Sequence, residues 1–392
     1  MPRQKKVTKG VTRRKCVRYG GTVLGGGLLA GCTDGESRSV DEQTDRSDEA
    51  CIEPVGCRTF EEVPKTWMAP VGTWADMAIA LGQRDGFLPA GWYAPSYLYE
   101  RVGIEMPAEI SDPLSGTGWD KELFYELDPD VILCDPNYLH TGFPGWDESD
   151  TQELDDNVAP FFGRVIFRDF DFPVYQEYDQ YTLYEAFDRL ATLFRERERY
   201  DAFVAVHDGL VTAIDAKLPA EHDRPEVGLV NFSSDPAHGE FSALTIDETG
   251  TEMKHVRDLG VRSAFTEAET DGTLDYEKLL EIDPETIIVH SAIQLTDDDG
   301  EFSASTFHDE FVAPMANHPV GSQLTAVENG NVYPGGHYLQ GPIANLFQTE
   351  LTARQLFPDE FGAFDPDRFP DVPADQQLFD RQRVADIING EF

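Results

Sequence analysis

Lysine is scarce in this sequence, and so is positive charge of any kind. Of its 392 residues, 73 are acidic and only 31 are lysine or arginine, which gives a formal charge of −42. A field this negative repels nucleic acid and anionic lipid, so it excludes proteins that bind either of them through charge. Beyond residue 31 the chain has only five lysines: Lys65, Lys121, Lys217, Lys254 and Lys278.

Long hydrophobic runs and catalytic motifs are also missing. No stretch reaches the roughly 20 apolar residues that a membrane-spanning helix needs. The sequence has no G-x-S-x-G, H-E-x-x-H or C-x-x-C motif and no phosphate-binding loop, and it therefore predicts a protein without enzymatic activity. At 40% hydrophobic and 11% aromatic residues, the chain still has ample material for folded cores.

The chain has only five cysteines, and two of them lie in the N-terminal segment treated next. Cys51 and Cys57 can close a small disulfide loop in an oxidising compartment. A zinc site is the alternative, but no second cysteine pair is present to complete four ligands. Cys134 ends an apolar run, and we expect it to be an inert core thiol.

Residues 1–31 contain eight basic side chains and no acidic one. Arg13-Arg14 precedes a short apolar run that ends in Leu29-Ala30-Gly31-Cys32. Twin arginines are typical of export signals, and small residues before a cysteine are typical of lipoproteins. We therefore predict a twin-arginine lipoprotein signal over 1–31. The mature chain is then held by lipid on Cys32 at the extracellular face of the cytoplasmic membrane. A disordered basic tail is the alternative.

Removal of those eight basic residues changes the formal charge from −42 to −50. The acidic residues are scattered, and arginine largely replaces lysine. This composition is typical of surfaces that stay soluble in concentrated salt, so we expect a halophilic archaeon as the source. Residues 32–60 are predicted to form a disordered acidic tether between the lipid anchor and the folded region.

From residue 61 onward, short apolar runs alternate with amphipathic helices, which is typical of α/β folds with mostly parallel sheets. We predict two doubly wound α/β lobes, 61–180 and 219–392, and Val165–Arg168 is among the predicted strands. Residues 181–218 have apolar side chains at helical spacing. They predict one long helix of about 57 Å that joins the lobes. A helix–loop–helix pair broken near 195–199 is the alternative.

The two predicted lobes share a repeated motif. Residues 122–133 align with residues 277–288, and each copy reads as an amphipathic helix, an Asp-Pro stop and a buried strand. An Asp-Pro pair alone is common, but two copies in the same register indicate two related lobes.

Together these features resemble the ABC-transporter solute-binding proteins for iron–siderophore, haem or cobalamin. In that family two α/β lobes are joined by one long helix, with the ligand cleft between the lobes. The resemblance covers about residues 61–360, although the segment 135–160 is longer and more acidic than is usual there. The marks that carry it are the repeated motif, Val71-Gly72-Thr73-Trp74-Ala75-Asp76, Asn329-Gly330-Asn331-Val332-Tyr333-Pro334 and Gln340-Gly341-Pro342.

The resemblance implies that one glutamate on the rim of each lobe docks to arginines of a membrane permease. The matching positions, seven residues before the proline of each repeat, are Glu122 and Glu277. It also implies a monomer, without a cofactor or metal ion of its own, that captures a ferric siderophore for the permease and its ATPase. Cobalamin or haem is the alternative ligand in the same role.

Ligands of open α/β sheets bind beyond the carboxyl ends of the strands, where aromatic walls and arginines can hold a chelate. His140 and His337 can also ligate a metal, which leaves a metal-assisted hydrolase as a rival function. A surface adhesion lipoprotein is the other rival. The predicted cleft residues are Trp74, Arg84, Trp92, Tyr93, Tyr138, His140, Arg168, Asn231, Phe232, Ser233, His290, His337 and Tyr338.

Overall fold

The computed structural model describes residues 49–106, 120–168, 173–246 and 250–392. These residues all belong to one compact unit that extends from residue 46 to residue 392. Three predicted features lie outside the described residues. They are the export signal, the lipidation of Cys32 and most of the tether. Within the described ranges, every helix is too short or too polar to cross a membrane.

Helices and short strands alternate along the chain. The strands are β1 (Glu49–Ile52), β2 (Gly56–Thr59), β3 (Trp67–Met68), β4 (Val131–Ile132), β5 (Glu226–Asn231), β6 (Ala243–Leu244), β7 (Arg262–Ser263), β8 (Thr286–His290) and β9 (Val332–Pro334). The first helices are α1 (Gly72–Ala80), α2 (Ser96–Glu100), α3 (Lys121–Leu127), α4 (Pro136–Gly142), α5 (Glu148–Asn157), α6 (Leu183–Phe194), α7 (Arg197–Asp215) and α8 (Lys254–Arg257). The remaining helices are α9 (Glu267–Thr270), α10 (Tyr276–Ile282), α11 (Ala304–Phe307), α12 (Ala313–Asn317), α13 (Thr325–Glu328), α14 (Pro342–Leu356), α15 (Pro358–Phe361) and α16 (Arg381–Asn389).

Two mostly parallel sheets form the framework, which confirms the predicted fold class. In the first, β3 and β4 are parallel, and single-residue bridges add Phe87 beside β3 and Phe161 beside β4. In the second, β5, β8 and β9 are parallel neighbours, β7 pairs in parallel with β5, and β6 pairs with β5 in antiparallel. The predicted strand Val165–Arg168 is wrong. This segment of the chain bridges to β4 at Phe161, and the described residues 162–168 then run on as irregular backbone.

The repeated motif takes the same form in both sheets. Helices α3 and α10 each begin after a capping aspartate, Asp120 or Asp275, whose side chain accepts a backbone N–H of the first turn. Each helix ends at an aspartate in the left-handed conformation, Asp128 with φ 45° or Asp283 with φ 48°. A buried parallel strand, β4 or β8, then follows. The equal register of the two copies is therefore also a structural equivalence.

Helix α14 is the centre of the core, and all 15 of its residues are buried. It contacts α1, α2, α6 and α7 from the earlier part of the chain and α8 and α15 from the later part. Its N-terminus is held by Asp76 of α1, whose carboxylate accepts the N–H groups of Ile343 at 2.8 Å and Ala344 at 2.9 Å. The mark that contains Asp76 therefore holds the two residues that directly follow the mark Gln340-Gly341-Pro342.

The predicted single helix over 181–218 is wrong, because the chain turns back on itself at Arg195. That residue is left-handed, with φ 58°, and it ends α6 two residues before α7 begins. In one continuous helix Tyr184 and His207 would lie about 34 Å apart, but their ring centroids are 4.3 Å apart. The two helices form an antiparallel hairpin, which was the alternative reading of the sequence.

The predicted tether also ends earlier than residue 60. Strands β1 and β2 form an antiparallel hairpin in which Cys51 is paired with Cys57, and the two side chains form a disulfide. Ala50 and Ile52 are buried because β1 packs against α6. Residues 49–59 are thus part of the folded unit. The sequence signal for this is the spacing of the apolar residues Ala50 and Ile52, which are two positions apart as in a strand with one buried face.

Candidate ligand-binding site

The carboxyl ends of strands from the second sheet meet at a buried polar cluster. His290 is the last residue of β8, and His337 follows β9 after two glycines. Ser291 adopts the left-handed conformation, with φ 67°, and its N–H donates to the carbonyl of Gly336 at 2.9 Å. This contact holds the two strand ends together and places both imidazoles at the same edge of the sheet.

The earlier part of the chain reaches this edge through backbone hydrogen bonds. The N–H of Thr251 donates to the carbonyl of Ile166 at 2.8 Å, and the N–H of Glu252 donates to the carbonyl of Phe167 at 2.9 Å. The next residue along the chain, Arg168, is thereby placed beside the second sheet.

Arg168, Glu252 and His290 form a chain of strong contacts. The Nε and Nη2 atoms of Arg168 donate to the two oxygens of Glu252, each at 2.8 Å. The Nε2 atom of His290 lies 2.8 Å from the same Oε1 atom that Nη2 contacts. The side chains of Glu252 and His290 are 2% and 1% exposed, whereas that of Arg168 is 38% exposed. A buried carboxylate therefore links the two parts of the chain.

The electrostatics of this link follow from its contacts. Burial alone raises the pKa of the Glu252 carboxyl, but the hydrogen bonds and charges of His290 and Arg168 outweigh burial and hold that pKa at about 2. Because a carboxylate only accepts, Nε2 of His290 must carry a proton. The Nδ1 atom is buried and has no hydrogen-bond partner in the described part of the chain.

Two further buried histidines lie around the link. Burial, together with the nearby His290, lowers the pKa values of His255 and His337 to about 3, so both are neutral at physiological pH. The amide of Gln340 donates to the carbonyls of Thr251 and Glu252 at 2.7 and 2.9 Å and lies 2.9 Å from Nδ1 of His255. This network fixes the backbone that presents Glu252.

A row of aromatic rings runs past the cluster. Neighbouring centroids are 4.7 to 5.9 Å apart, and most pairs meet edge to face. The row starts in the first part of the chain and ends beside the second sheet, so it lines both with aromatic side chains. In order, its members are Trp92, Phe143, Tyr138, Phe167, Tyr338 and His337.

The structure brings six of the thirteen predicted cleft residues into this row and cluster. They are Trp92, Tyr138, Arg168, His290, His337 and Tyr338. Asn231 lies opposite His290 in the β5–β8 ladder, but its Oδ1 atom accepts the N–H of Ser233.

The other predicted cleft residues point elsewhere. Trp74 is buried, and its indole N–H donates to the carbonyl of Arg164 at 2.9 Å. The Tyr93 hydroxyl accepts the N–H of Ala90 and its ring packs on Phe87, so it belongs to the core. The remaining three are placed by local contacts. Arg84 is exposed beside Asp85, His140 contacts Asn137, and Phe232 packs on Phe311.

Sequence reasoning missed Glu252, His255, Gln340 and Phe167. Glu252 and His255 lie in a short amphipathic segment that resembles many others in the chain, and their position depends on the backbone pairing with residues 166 and 167. Gln340 was identified only as part of a family mark. Phe167 was placed in a strand that does not form.

The cluster is not a ready set of metal ligands. In the ranges that the structure covers, one group of three candidate ligand atoms lies within 4.8 Å of one another, namely that of Glu49, Cys51 and Cys57. Those two cysteines form the disulfide and cannot bind a metal. The site therefore offers aromatic side chains and the partly exposed guanidinium of Arg168 to a bound molecule.

The two glutamates predicted to dock occupy equivalent exposed positions. Glu122 lies in the first turn of α3 and Glu277 in the first turn of α10. Neither carboxylate has a hydrogen-bond or ion-pair partner among the described residues, whereas the side chain of the adjacent Lys121 binds Asp150 at 2.7 Å. Both carboxylates are thus available at the surface.

Comparisons with known proteins agree with this architecture. A family model described as "Periplasmic binding protein" matches residues 74–338. A periplasmic binding protein from Veillonella parvula is 14% identical with a TM-score of 0.55, over 81% of this chain and 94% of its own. A periplasmic solute binding protein from Mycobacterium smegmatis is 12% identical with a TM-score of 0.51, over 79% and 98%.

A third solved structure is named an iron uptake ABC transporter substrate-binding protein, PiuA, from Streptococcus pneumoniae. It is 15% identical with a TM-score of 0.50, over 79% of this chain and 98% of its own. A search of curated proteins found no match. At these identities the three structures show the fold alone.

Proposed function

Because the chain belongs to the periplasmic binding protein family, we propose that it is the substrate-binding component of an ABC importer and that it captures a ferric siderophore. The observation that carries this proposal is the convergence of both parts of the chain on the Arg168–Glu252–His290 link. Ligands of this kind of sheet bind at that edge. The name of the pneumococcal relative, an iron-uptake protein, supports the same class of cargo.

The aromatic row suits a chelate better than a free ion. A siderophore presents apolar carbon around its metal, and flat rings can pack against that surface. Its iron is already coordinated, so the protein needs no metal ligands of its own. The described histidines do not form a set of metal ligands, and binding of a chelate does not require them to.

Delivery would use Glu122 and Glu277. Both project from the first turn of a helix that precedes a parallel strand, one in each sheet, and both are exposed. Two fixed carboxylates of this kind can orient the protein over arginines of a permease, because charge complementarity sets orientation and encounter rate.

The same proposal assigns the N-terminal segment to export and attachment. Twin-arginine export of residues 1–31 and lipidation of Cys32 would hold the chain outside the cell, next to the permease. No catalytic role is proposed for the site.

A titration with coloured ligands tests the cargo. The purified chain is mixed with ferric siderophores, haem or cobalamin, desalted, and its visible absorption recorded, while quenching of Trp92 fluorescence gives the dissociation constant. Retention of a ferric siderophore is expected. Retention of haem or cobalamin in its place would reassign the cargo, and retention of none of them would overturn the proposal.

Charge reversal tests the docking role. With Glu122→Arg and Glu277→Arg together, we expect uptake into cells to be lost while the chelate dissociation constant is unchanged. The matched control is Glu126→Arg with Glu281→Arg, one helical turn further along the same helices and also exposed. Uptake should persist in the control. Unchanged uptake in the first variant would contradict the docking assignment.

A further inference from the structure

The charge that the cleft presents to a ligand depends on the groups that already bind the guanidinium of Arg168. Of the two arginines predicted to grip an anionic ligand, Arg84 is exposed in a surface turn beside Asp85. Arg168 lies at the site, but two of its nitrogens donate to Glu252 in a bidentate pair. A bidentate carboxylate satisfies a guanidinium in the same geometry that an anionic ligand would use. Glu252 therefore occupies the place of such a ligand.

An anionic ligand cannot displace Glu252 at low cost. The carboxylate is 2% exposed, and loss of its arginine would leave a buried charge that is hydrogen-bonded to His290 but lacks that counter-ion. Removal of one partner from a buried pair is strongly unfavourable. The backbone of Glu252 is also fixed by Phe167 and Gln340.

The two neighbouring imidazoles add no positive charge at physiological pH. His255 and His337 are neutral because burial depresses their pKa values to about 3. His290 is 1% exposed, and its Nε2 atom already contacts Glu252. The guanidinium of Arg168 is itself paired with Glu252, and rings of the aromatic row lie beside it. Beyond the signal segment the chain carries a formal charge of −50, which repels anions at a distance.

We infer that this site prefers metal chelates of zero or positive net charge over anionic ones, and that Glu252 is the residue that sets this preference. The inference rests on the proposed function and narrows its substrate class. Uncharged or cationic ferric trihydroxamates fit the aromatic row and an arginine that Glu252 already pairs. Anionic tris-catecholates and carboxylate chelates do not.

Three ferric chelates of different charge test the preference by Trp92 quenching. Ferrichrome is neutral, ferrioxamine B is cationic and ferric enterobactin is trianionic. In the unaltered protein we expect the first two to bind at least about tenfold more tightly than the third, a difference on the scale of one charge–charge contact. Added salt should strengthen binding of the anionic probe, because screening weakens repulsion, and should leave the neutral probe unchanged. Circular dichroism verifies folding at each salt concentration.

The variant Glu252→Gln tests the residue. It removes the carboxylate charge that pairs with Arg168, so the affinity for the trianionic probe should rise about tenfold while that for ferrichrome changes little. The matched control is Glu301→Gln, which removes a carboxylate from another bidentate pair, with Arg101 at 2.9 and 3.0 Å. That variant should leave the ranking of the probes unchanged.

The outcomes separate the two claims. If none of the three ferric chelates binds, the proposed function is wrong. If the trianionic chelate binds as well as or better than the others, the charge preference is overturned and the function stands. If Glu252→Gln fails to fold, the salt series and ranking in the unaltered protein still decide the preference.

Discussion

Asp76 joins α1 to the N-terminus of α14, and replacing it with asparagine tests how that junction is held. Its carboxylate is fully buried and accepts two backbone N–H groups of α14 and the hydroxyl of Tyr99, the last at 3.2 Å. Burial raises the pKa of this carboxyl to about 6 although the three hydrogen bonds act to lower it. The substitution Asp76→Asn keeps the shape and removes the charge and the titration.

The sign of the pH effect follows from that raised pKa. A carboxyl whose folded pKa lies above its unfolded value binds its proton more tightly in the folded state, so it stabilises the fold at low pH. That contribution is lost as pH rises from about 4 through about 6. A shift from 3.8 to about 6 corresponds to about 3 kcal/mol in total, of which about half falls between pH 8 and pH 5.

The assay is urea unfolding of both proteins across this pH range. The other titrating groups are shared, so they cancel in the difference between the two free energies of unfolding. On going from about pH 8 to about pH 5, the unaltered protein should gain about 1.4 kcal/mol relative to Asp76→Asn. A difference that does not vary with pH would refute the claim that a buried, titrating carboxyl caps α14.

Two further substitutions test local features, each by urea unfolding. Arg195→Gly should stabilise the chain by about 0.5 kcal/mol, because glycine adopts the left-handed conformation without strain; a loss of about 1 kcal/mol would instead indicate a continuous helix. Gly336→Ala should cost about 1–3 kcal/mol, since its Cβ would lie 2.5 Å from Oε1 of Gln348 and 2.8 Å from Nε2 of His255. The control Gly209→Ala, where no atom lies within 4 Å, should be neutral or slightly stabilising, and equal losses at both glycines would contradict the packing at Gly336.

Local patterns predicted the repeated units well. The helix, Asp-Pro stop and buried strand predicted within 277–288 are present as α10 and β8, because apolar spacing and the Asp-Pro stop lie within a short window. The break at Arg195 could not be predicted in this way. The apolar spacing continues through it, and neither glycine nor proline marks a turn that depends on α7 packing back against α6.

The candidate site was only partly predictable for a similar reason. The ends of strands can be recognised in the sequence, and this located Tyr138, His290 and His337. Side-chain direction cannot be read there, so Trp74 was placed in the cleft although its indole binds a core carbonyl. Glu252 reaches the site only through a pairing between segments more than 80 residues apart, and no local signal marks it.

The contact between Asp76 and α14 joins residues 267 positions apart. A ribosome makes α1 long before it makes α14, and until then α1 has neither its capping partner nor the helix that covers its apolar face. The core therefore cannot form before α14 has been made, and contacts this distant in sequence slow folding. An export route that carries only folded chains, as proposed for residues 1–31, would have to wait until α14 has packed against α1. On that route a chaperone that binds the nascent chain would be of most use while the apolar face of α1 is uncovered.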